Sequence, residues 1–84
     1  MSDISKQIES IVLNIHRRNG GQLGELDLRL RLLDKKLLLD SLDLAEIVVS
    51  VEKRFGVSAF DSSVPPRTWG ELVSHIETKA DRNH

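Results

Sequence analysis

The sequence predicts a small all-α fold, a three-to-four-helix bundle with a long loop between helix 1 and helix 2. Three stretches place apolar residues at the i, i+3, i+4, i+7 spacing of amphipathic helices, and glycine or proline residues separate them. The 84 residues are enough for a single domain, which we place at 1–84. Because there is no cysteine, no disulfide can reinforce it.

Helix 1 is predicted at about residues 3–18. Either Ser2 or Asp3 can cap its start. The pair Gly20-Gly21 predicts its end, since glycine readily adopts the left-handed conformation found after a helix terminus. One apolar stripe runs along the helix: Ile4, Ile8, Ile11, Val12 and Ile15.

The segment at about 19–39 is predicted to be a long loop. Its leucines alternate with charged residues, a period typical of a strand: Leu26, Leu28, Leu30 and Leu32. We nevertheless expect no strand, because a strand without a partner is not stable. The leucines are expected to anchor a connection across the helices, with room for one short helical turn.

Helix 2 is predicted at about residues 41–55. Asp40 is a suitable N-cap, Asp43 lies near the positive end of the helix dipole, and Gly56 ends the helix. Its apolar residues divide into two stripes. The core stripe consists of Leu44, Ile47, Val48, Val51 and Phe55. The outer stripe consists of Leu42, Ala45 and Val49, and the acidic residues Asp43, Glu46 and Glu52 border it.

The last third of the chain is predicted to hold a short helical turn at about 61–64 and a last helix at about 69–79. Pro65-Pro66 closes the turn. Thr68 and Glu71 have the spacing of a capping box. The apolar face of the helix consists of Trp69, Leu72, Val73 and Ile76. The polar residues 80–84 are expected to be a frayed tail.

Composition and motifs disfavour several function classes. The net charge of −1 argues against nucleic-acid binding. No apolar run is long enough to span a membrane, so we expect a cytoplasmic protein. We also expect it to be a monomer. The histidines His16, His75 and His84 lack the spacing of metal ligands and are expected to be surface or partly buried side chains. There is no nucleophile elbow or phosphate-binding loop, and we expect no enzymatic activity.

The run Asp40-Ser41-Leu42-Asp43 at the start of helix 2 remains as a candidate site. A serine there has two interpretations. It is either an ordinary first-turn or capping residue, or a residue that bears a phosphate group close to free backbone N–H groups and the positive end of the helix dipole.

The run from Asp40 to Val48, with Glu52 and Phe55-Gly56-Val57 after it, resembles the acyl carrier protein family. The last helix also resembles the family pattern, at Thr68, Gly70, Leu72, Val73 and Ile76. The resemblance implies that a phosphopantetheinyl transferase attaches 4′-phosphopantetheine from coenzyme A to Ser41. It also implies that acyl groups travel on this arm as thioesters between acyl-loading and acyl-processing enzymes, and that the carrier catalyses nothing itself.

The residues expected to contact partner enzymes are Asp40, Leu42, Asp43, Ala45, Glu46, Val49 and Glu52. An apolar patch with acidic borders suits transient docking to basic enzymes, although Val49 has core packing as an equal alternative. Leu38 stands where family members often have glycine, and Leu37-Leu38-Leu39-Asp40-Ser41 looks like carriers of specialised pathways, including D-alanyl carrier proteins. The alternatives to a fatty-acid or polyketide-like acyl carrier are therefore an aminoacyl carrier and a helical interaction module without a prosthetic group.

Overall fold

The chain adopts a small all-α fold, which confirms the predicted fold class. A computed structural model describes residues 3–61 and 63–82. These form three α-helices, α1 (Asp3–Arg18), α2 (Ser41–Phe55) and α3 (Trp69–Arg82), and a 3₁₀ turn, Lys35–Leu37, lies in the loop between α1 and α2. Within the described residues no helix has the length and apolar character needed to cross a membrane.

Local capping sets the ends of the helices. At the end of α1, Gly20 has φ +94°, its N–H donates to Arg17 O, and the Gly21 N–H donates to His16 O. These two bonds form a Schellman motif. Gly56 ends α2 in the same left-handed region, at φ 67°. Before α3, the Thr68 hydroxyl accepts from the Glu71 N–H and the Glu71 carboxylate accepts from the Thr68 N–H, as the predicted capping box requires.

The core lies where α1 packs against α2 and α3. Fully buried residues of all three helices meet there, among them Ile8, Val12, Ile47, Val51, Trp69, Leu72 and Ile76. Trp69 is completely buried, and its indole N–H has no hydrogen-bond acceptor among the described residues. Leu44, Val48 and Phe55 are partly buried and pack against this core, so all five residues of the predicted core stripe face inward.

The long loop pairs with the segment that precedes α3. The Leu32 N–H donates to Arg67 O, the Trp69 N–H to Leu30 O and the Gly70 N–H to Leu28 O. Arg31 and Thr68 form an isolated antiparallel bridge. As expected, the described residues of the loop form no strand: residues 28–30 and 32–33 lie in turns and bends, and the pairing is limited to one bridge and these three hydrogen bonds. Leu26 and Leu32 are buried, and Leu28 and Leu30 are partly buried against the core.

Two boundaries differ from the predictions. No helical turn occupies the described residues of 61–64: Ser63 and Val64 form a bend, and Ser62 lies outside the described residues. Proline follows directly at 65 and 66, and it disfavours helical backbone at the residue before it. The tail predicted at 80–84 is helical as far as Arg82, since α3 continues to that residue. Residues 83–84 lie outside the described part of the chain, as does the alternative cap Ser2.

Candidate functional site

Ser41 is the first residue of α2, and its side chain is exposed. Asp40, and not the serine, caps the helix: the Asp40 carboxylate accepts from the Asp43 N–H at 2.8 Å, and the Asp43 carboxylate accepts from the Asp40 N–H at 3.1 Å. This is a complete capping box formed by two aspartates. The Ser41 hydroxyl has no hydrogen-bond role in the helix start, so it is free for other chemistry.

The backbone next to Ser41 offers donors to an anion. The first N–H groups of an α-helix have no intrahelical acceptor, and the capping box satisfies only that of Asp43 within the first three residues. The N–H groups of Ser41 and Leu42 therefore stay available at the positive end of the helix dipole. An exposed hydroxyl beside free N–H groups can carry a phosphate ester whose oxygens accept from the backbone.

A polar cluster, formed by Arg18, Asn19, Asp40, Asp43 and Glu46, joins the end of α1 to the start of α2. The Arg18 guanidinium pairs with Asp43 at 3.2 Å and with Glu46 at 3.3 Å. The Asn19 side-chain amide donates to the Asp43 carboxylate at 2.9 Å. The cluster therefore fixes α1 against the first turns of α2, and it neutralises part of the acidic charge next to Ser41.

Asp43 is the centre of this cluster. Its side chain is only 15% exposed. Hydrogen bonds from the Asp40 backbone N–H and the Asn19 amide, together with the charge of Arg18, hold the pKa of Asp43 below its ordinary range, although partial burial acts in the opposite direction. Asp43 is therefore ionised at neutral pH and committed to contacts within the chain.

His16 anchors the segment that leads to Ser41. It is 1% exposed, which differs from the surface or partly buried position expected for it. The Leu23 N–H donates to its Nε2 at 3.1 Å, which leaves Nδ1 to donate to Leu37 O at 2.8 Å. Both ring nitrogens therefore have hydrogen-bond partners, which offset the cost of burying the imidazole. Gly21 packs directly on the ring, where any Cβ would overlap it.

Leu38 lies in the left-handed region, with φ 59° and ψ 32°. This conformation is uncommon for any residue with a Cβ and favours glycine. Hydrogen bonds on both sides hold it: its N–H donates to Lys35 O, and its carbonyl accepts from the Asn19 amide at 2.8 Å. Leu38 therefore ends the 3₁₀ turn, and α2 begins three residues later at Ser41.

The outer stripe faces away from the core. Leu42 is 79% exposed, Val49 is 49% exposed and Ala45 is also exposed. The exposure of Val49 excludes its full burial in the core, which was the alternative to a position on the surface. Three apolar residues at i, i+3 and i+7 thus form an exposed strip along α2 that begins next to Ser41.

The remaining predicted site residues have structural contacts. Asp40 caps α2, Glu46 pairs with Arg18, and the Glu52 carboxylate accepts from the Ala59 N–H at 2.8 Å. Their predicted contacts with partner enzymes stay predictions. His75 bonds to Asp61 and Ser58 O, and His84 lies outside the described residues. Among the residues that the structure describes, no group of three or more His, Asp or Glu side chains is placed to hold a metal ion.

Sequence reasoning missed Arg18, Asn19 and the anchoring role of His16. His16 does carry a signal: it lies four residues after Val12 and eight after Ile8, on the apolar face of α1. Arg18 and Asn19 carry none, because their partners on α2 lie 24 to 28 residues away along the chain.

The residues around Ser41 fit a phosphate ester on its hydroxyl, the linkage that a phosphopantetheine group would require. The fit has three parts: the exposed hydroxyl, two free N–H groups at the same helix end, and a capping box that does not use the serine. Comparison with family models, curated proteins and solved structures gives no match to the chain.

Proposed function

We propose that this protein is an acyl carrier protein that bears 4′-phosphopantetheine on Ser41. The observation that carries the proposal is the exposed serine at the first position of α2, released from capping by the Asp40–Asp43 box. The resemblance of residues 40–57 to the carrier family points to the same hydroxyl. We further propose that it works as a cytoplasmic monomer in a fatty-acid, polyketide-like or other specialised acyl pathway.

In this proposal the chain positions the serine and the partner enzymes do the chemistry. In the transfer from coenzyme A, the Ser41 oxygen would bond to the phosphorus next to the pantetheine, the diphosphate P–O bond would break and adenosine 3′,5′-bisphosphate would leave, while the hydroxyl proton would pass to the transferase. The N–H groups of Ser41 and Leu42 would favour the phosphodiester anion. When attached, the group supplies a thiol that carries acyl groups as thioesters. The outer stripe offers an exposed apolar contact beside the arm, which suits brief docking of successive enzymes.

An intact-mass experiment tests the modification. The protein is incubated with coenzyme A, Mg²⁺ and a transferase of broad specificity. We expect a mass increase of one phosphopantetheine group, which maps to the peptide that contains Ser41. Ser41→Ala should abolish the increase. The matched control is Ser74→Ala, an exposed serine on α3, which should leave it unchanged. An unmodified wild-type chain, or a modified Ser41→Ala variant, would overturn the proposal.

An aminoacyl carrier is the second candidate, and the leucine-rich run Leu37-Leu38-Leu39 before Asp40-Ser41 favours it. It shares the Ser41 chemistry and differs in cargo. Loading assays on the modified protein, with fatty acyl donors in one arm and an amino acid with its adenylating ligase in the other, separate the two.

A candidate of another class is a helical interaction module without a prosthetic group. The 79% exposure of Leu42 favours it, because an apolar side chain that exposed suits a binding face. It requires that the chain stay unmodified in the intact-mass experiment and bind a partner stably through the outer stripe. Pull-down with wild type and Leu42→Ser, after modification has failed, distinguishes it from both carriers.

A further inference from the structure

A groove of about 880 Å³ borders the first turns of α2. It lies between residues 31–36 of the long loop, Leu44 of α2, and Arg67 before α3. Three leucines give it an apolar lining: Leu32 is buried, Leu44 is partly buried and Leu33 is 45% exposed. The volume is within the range of sites that bind small molecules, roughly 300–1,000 Å³.

The charged side chains that line this groove are mostly basic: Arg31, Lys35, Lys36 and Arg67. None of them forms a salt bridge to any described residue. Among the described residues, Asp34 is the one acid that lines the groove, and its carboxylate accepts from the Lys36 N–H to cap the 3₁₀ turn. The net charge of the chain is −1, yet four basic side chains without a salt bridge to a described residue surround this groove. Their positive potential favours binding of an anion there.

Two carboxylates outside the groove interact electrostatically with these cations, and both form their hydrogen bonds with other groups. Asp27 is within the field of Lys36, but its carboxylate binds the Arg29 side chain at 3.1 Å. Glu71 is within the field of Arg67, but it accepts from the backbone N–H groups of Arg67 and Thr68. Neither carboxylate forms an ion pair with a groove cation, so the basic character of the groove remains.

We propose that this groove binds an aliphatic chain that carries a carboxylate group. The leucine side chains accommodate the chain, and the ammonium and guanidinium groups bind the carboxylate. The leucine lining favours an aliphatic chain over an acidic protein surface, which would leave these leucines against polar groups. Ser41 and Leu44 are three residues apart on α2, about 4.5 Å along the helix axis and on neighbouring surface. In the acyl carrier proposed above, on which this extension rests, the cargo class is an acyl chain with a free carboxylate at its far end.

A titration of the unmodified protein with free octanoate, followed by ¹⁵N–¹H correlation spectra, tests the groove without requiring an arm on Ser41. We expect shifts confined to the amides of residues 31–36 and their neighbours around Leu44 and Arg67, with affinity that falls as salt is added. Octylammonium has a chain of the same length and the opposite charge, and acetate has the charge without the chain. Neither should bind at concentrations at which octanoate does.

Arg31→Gln and Lys36→Gln should each weaken octanoate binding about two- to five-fold, the effect of losing one exposed charge contact. Both side chains are exposed, so the fold is retained. The matched control is Lys53→Gln, an exposed lysine on α2 outside the groove, which should bind like wild type. Ser41→Ala should also bind octanoate normally, which separates this test from that of the modification. Equal binding of octylammonium, equal weakening by Lys53→Gln, or no shift at millimolar octanoate would refute the inference.

Discussion

Replacing Gly21 by alanine tests whether the buried His16 ring holds the segment before Ser41. A Cβ at position 21 would overlap three atoms of that ring, far inside van der Waals contact. Moving the ring into solvent would break its packing and two hydrogen bonds, because it is 1% exposed and bonded to Leu23 N–H and Leu37 O. The methyl group therefore forces a shift of the imidazole, of the glycine turn, or of both.

The size of the effect follows from these contacts. Overpacking a close-packed site costs about 1–3 kcal/mol, and each of the two ring hydrogen bonds contributes about 0.5–1.5 kcal/mol. If both bonds are weakened and not fully lost, Gly21→Ala lowers the free energy of unfolding by about 3 kcal/mol. That is a large part of the roughly 5–10 kcal/mol expected for so small a domain. Urea titration measures it, with the fluorescence of Trp69 as the probe, since this buried residue is the only tryptophan.

Gly24→Ala is the control. It lies in the same loop, and a Cβ there has no neighbour within 4 Å. It should be neutral or stabilise by up to about 1 kcal/mol, because alanine lowers the entropy of the unfolded chain. In a His16→Ala background, Gly21→Ala should cost less than about 1 kcal/mol, since the ring it overlaps is gone. Equal stabilities for Gly21→Ala and Gly24→Ala would show that the ring does not fill this position, and the anchoring argument would fail.

Three other substitutions have definite expected results. Leu38→Gly should be about 0.5–1 kcal/mol more stable than Leu38→Ala in urea, the reverse of the order at a helical site, because only glycine relieves the left-handed strain. Asp43→Asn should reduce the loss of stability that the wild type shows below about pH 4. In the wild type, ionised Asp43 stabilises the fold above its unfolded pKa, and this contribution disappears as the pH falls through its lower folded pKa. Urea midpoints measured at several pH values will show the difference. Ile47→Ala should cost about 2–5 kcal/mol and Leu42→Ala less than about 0.5 kcal/mol in the same assay, since only Ile47 is buried.

Local signals allowed the three helices to be predicted. Each has an apolar period, and α2 and α3 also have side chains that cap the start within three residues. These are interactions between near neighbours, which sequence patterns record. The conformation of 19–39 lacked such a signal. Its long-range backbone–backbone hydrogen bonds go to residues 67–70, and the alternation of leucines does not indicate which segment pairs with the loop.

The site was predictable to the same extent. The serine, its cap and the exposed stripe follow from the α2 sequence alone. The polar cluster and the basic groove do not, because Arg18 meets Asp43 25 residues later, and Arg67 joins Arg31 only through the loop pairing. The strain at Leu38 is a different case: leucine as a residue type does not indicate a positive φ, and the glycine that family members often have there was the one hint of it. The N–H and carbonyl of Leu38 form the hydrogen bonds that hold this conformation.

At the start of α2, the contacts that stabilise the helix end are formed by residues other than the exposed Ser41. The aspartates Asp40 and Asp43 satisfy the helix end, while His16 and Asn19 hold the backbone just before it at Leu37 and Leu38. None of these contacts uses the Ser41 hydroxyl, so Ser41→Ala should change the free energy of unfolding by well under about 1 kcal/mol. A large loss would mean that the serine itself caps the helix, and its exposure would then be incidental to any modification. A small loss would leave Ser41 as an exposed residue whose hydroxyl has no structural role at the start of α2, as the proposed modification requires.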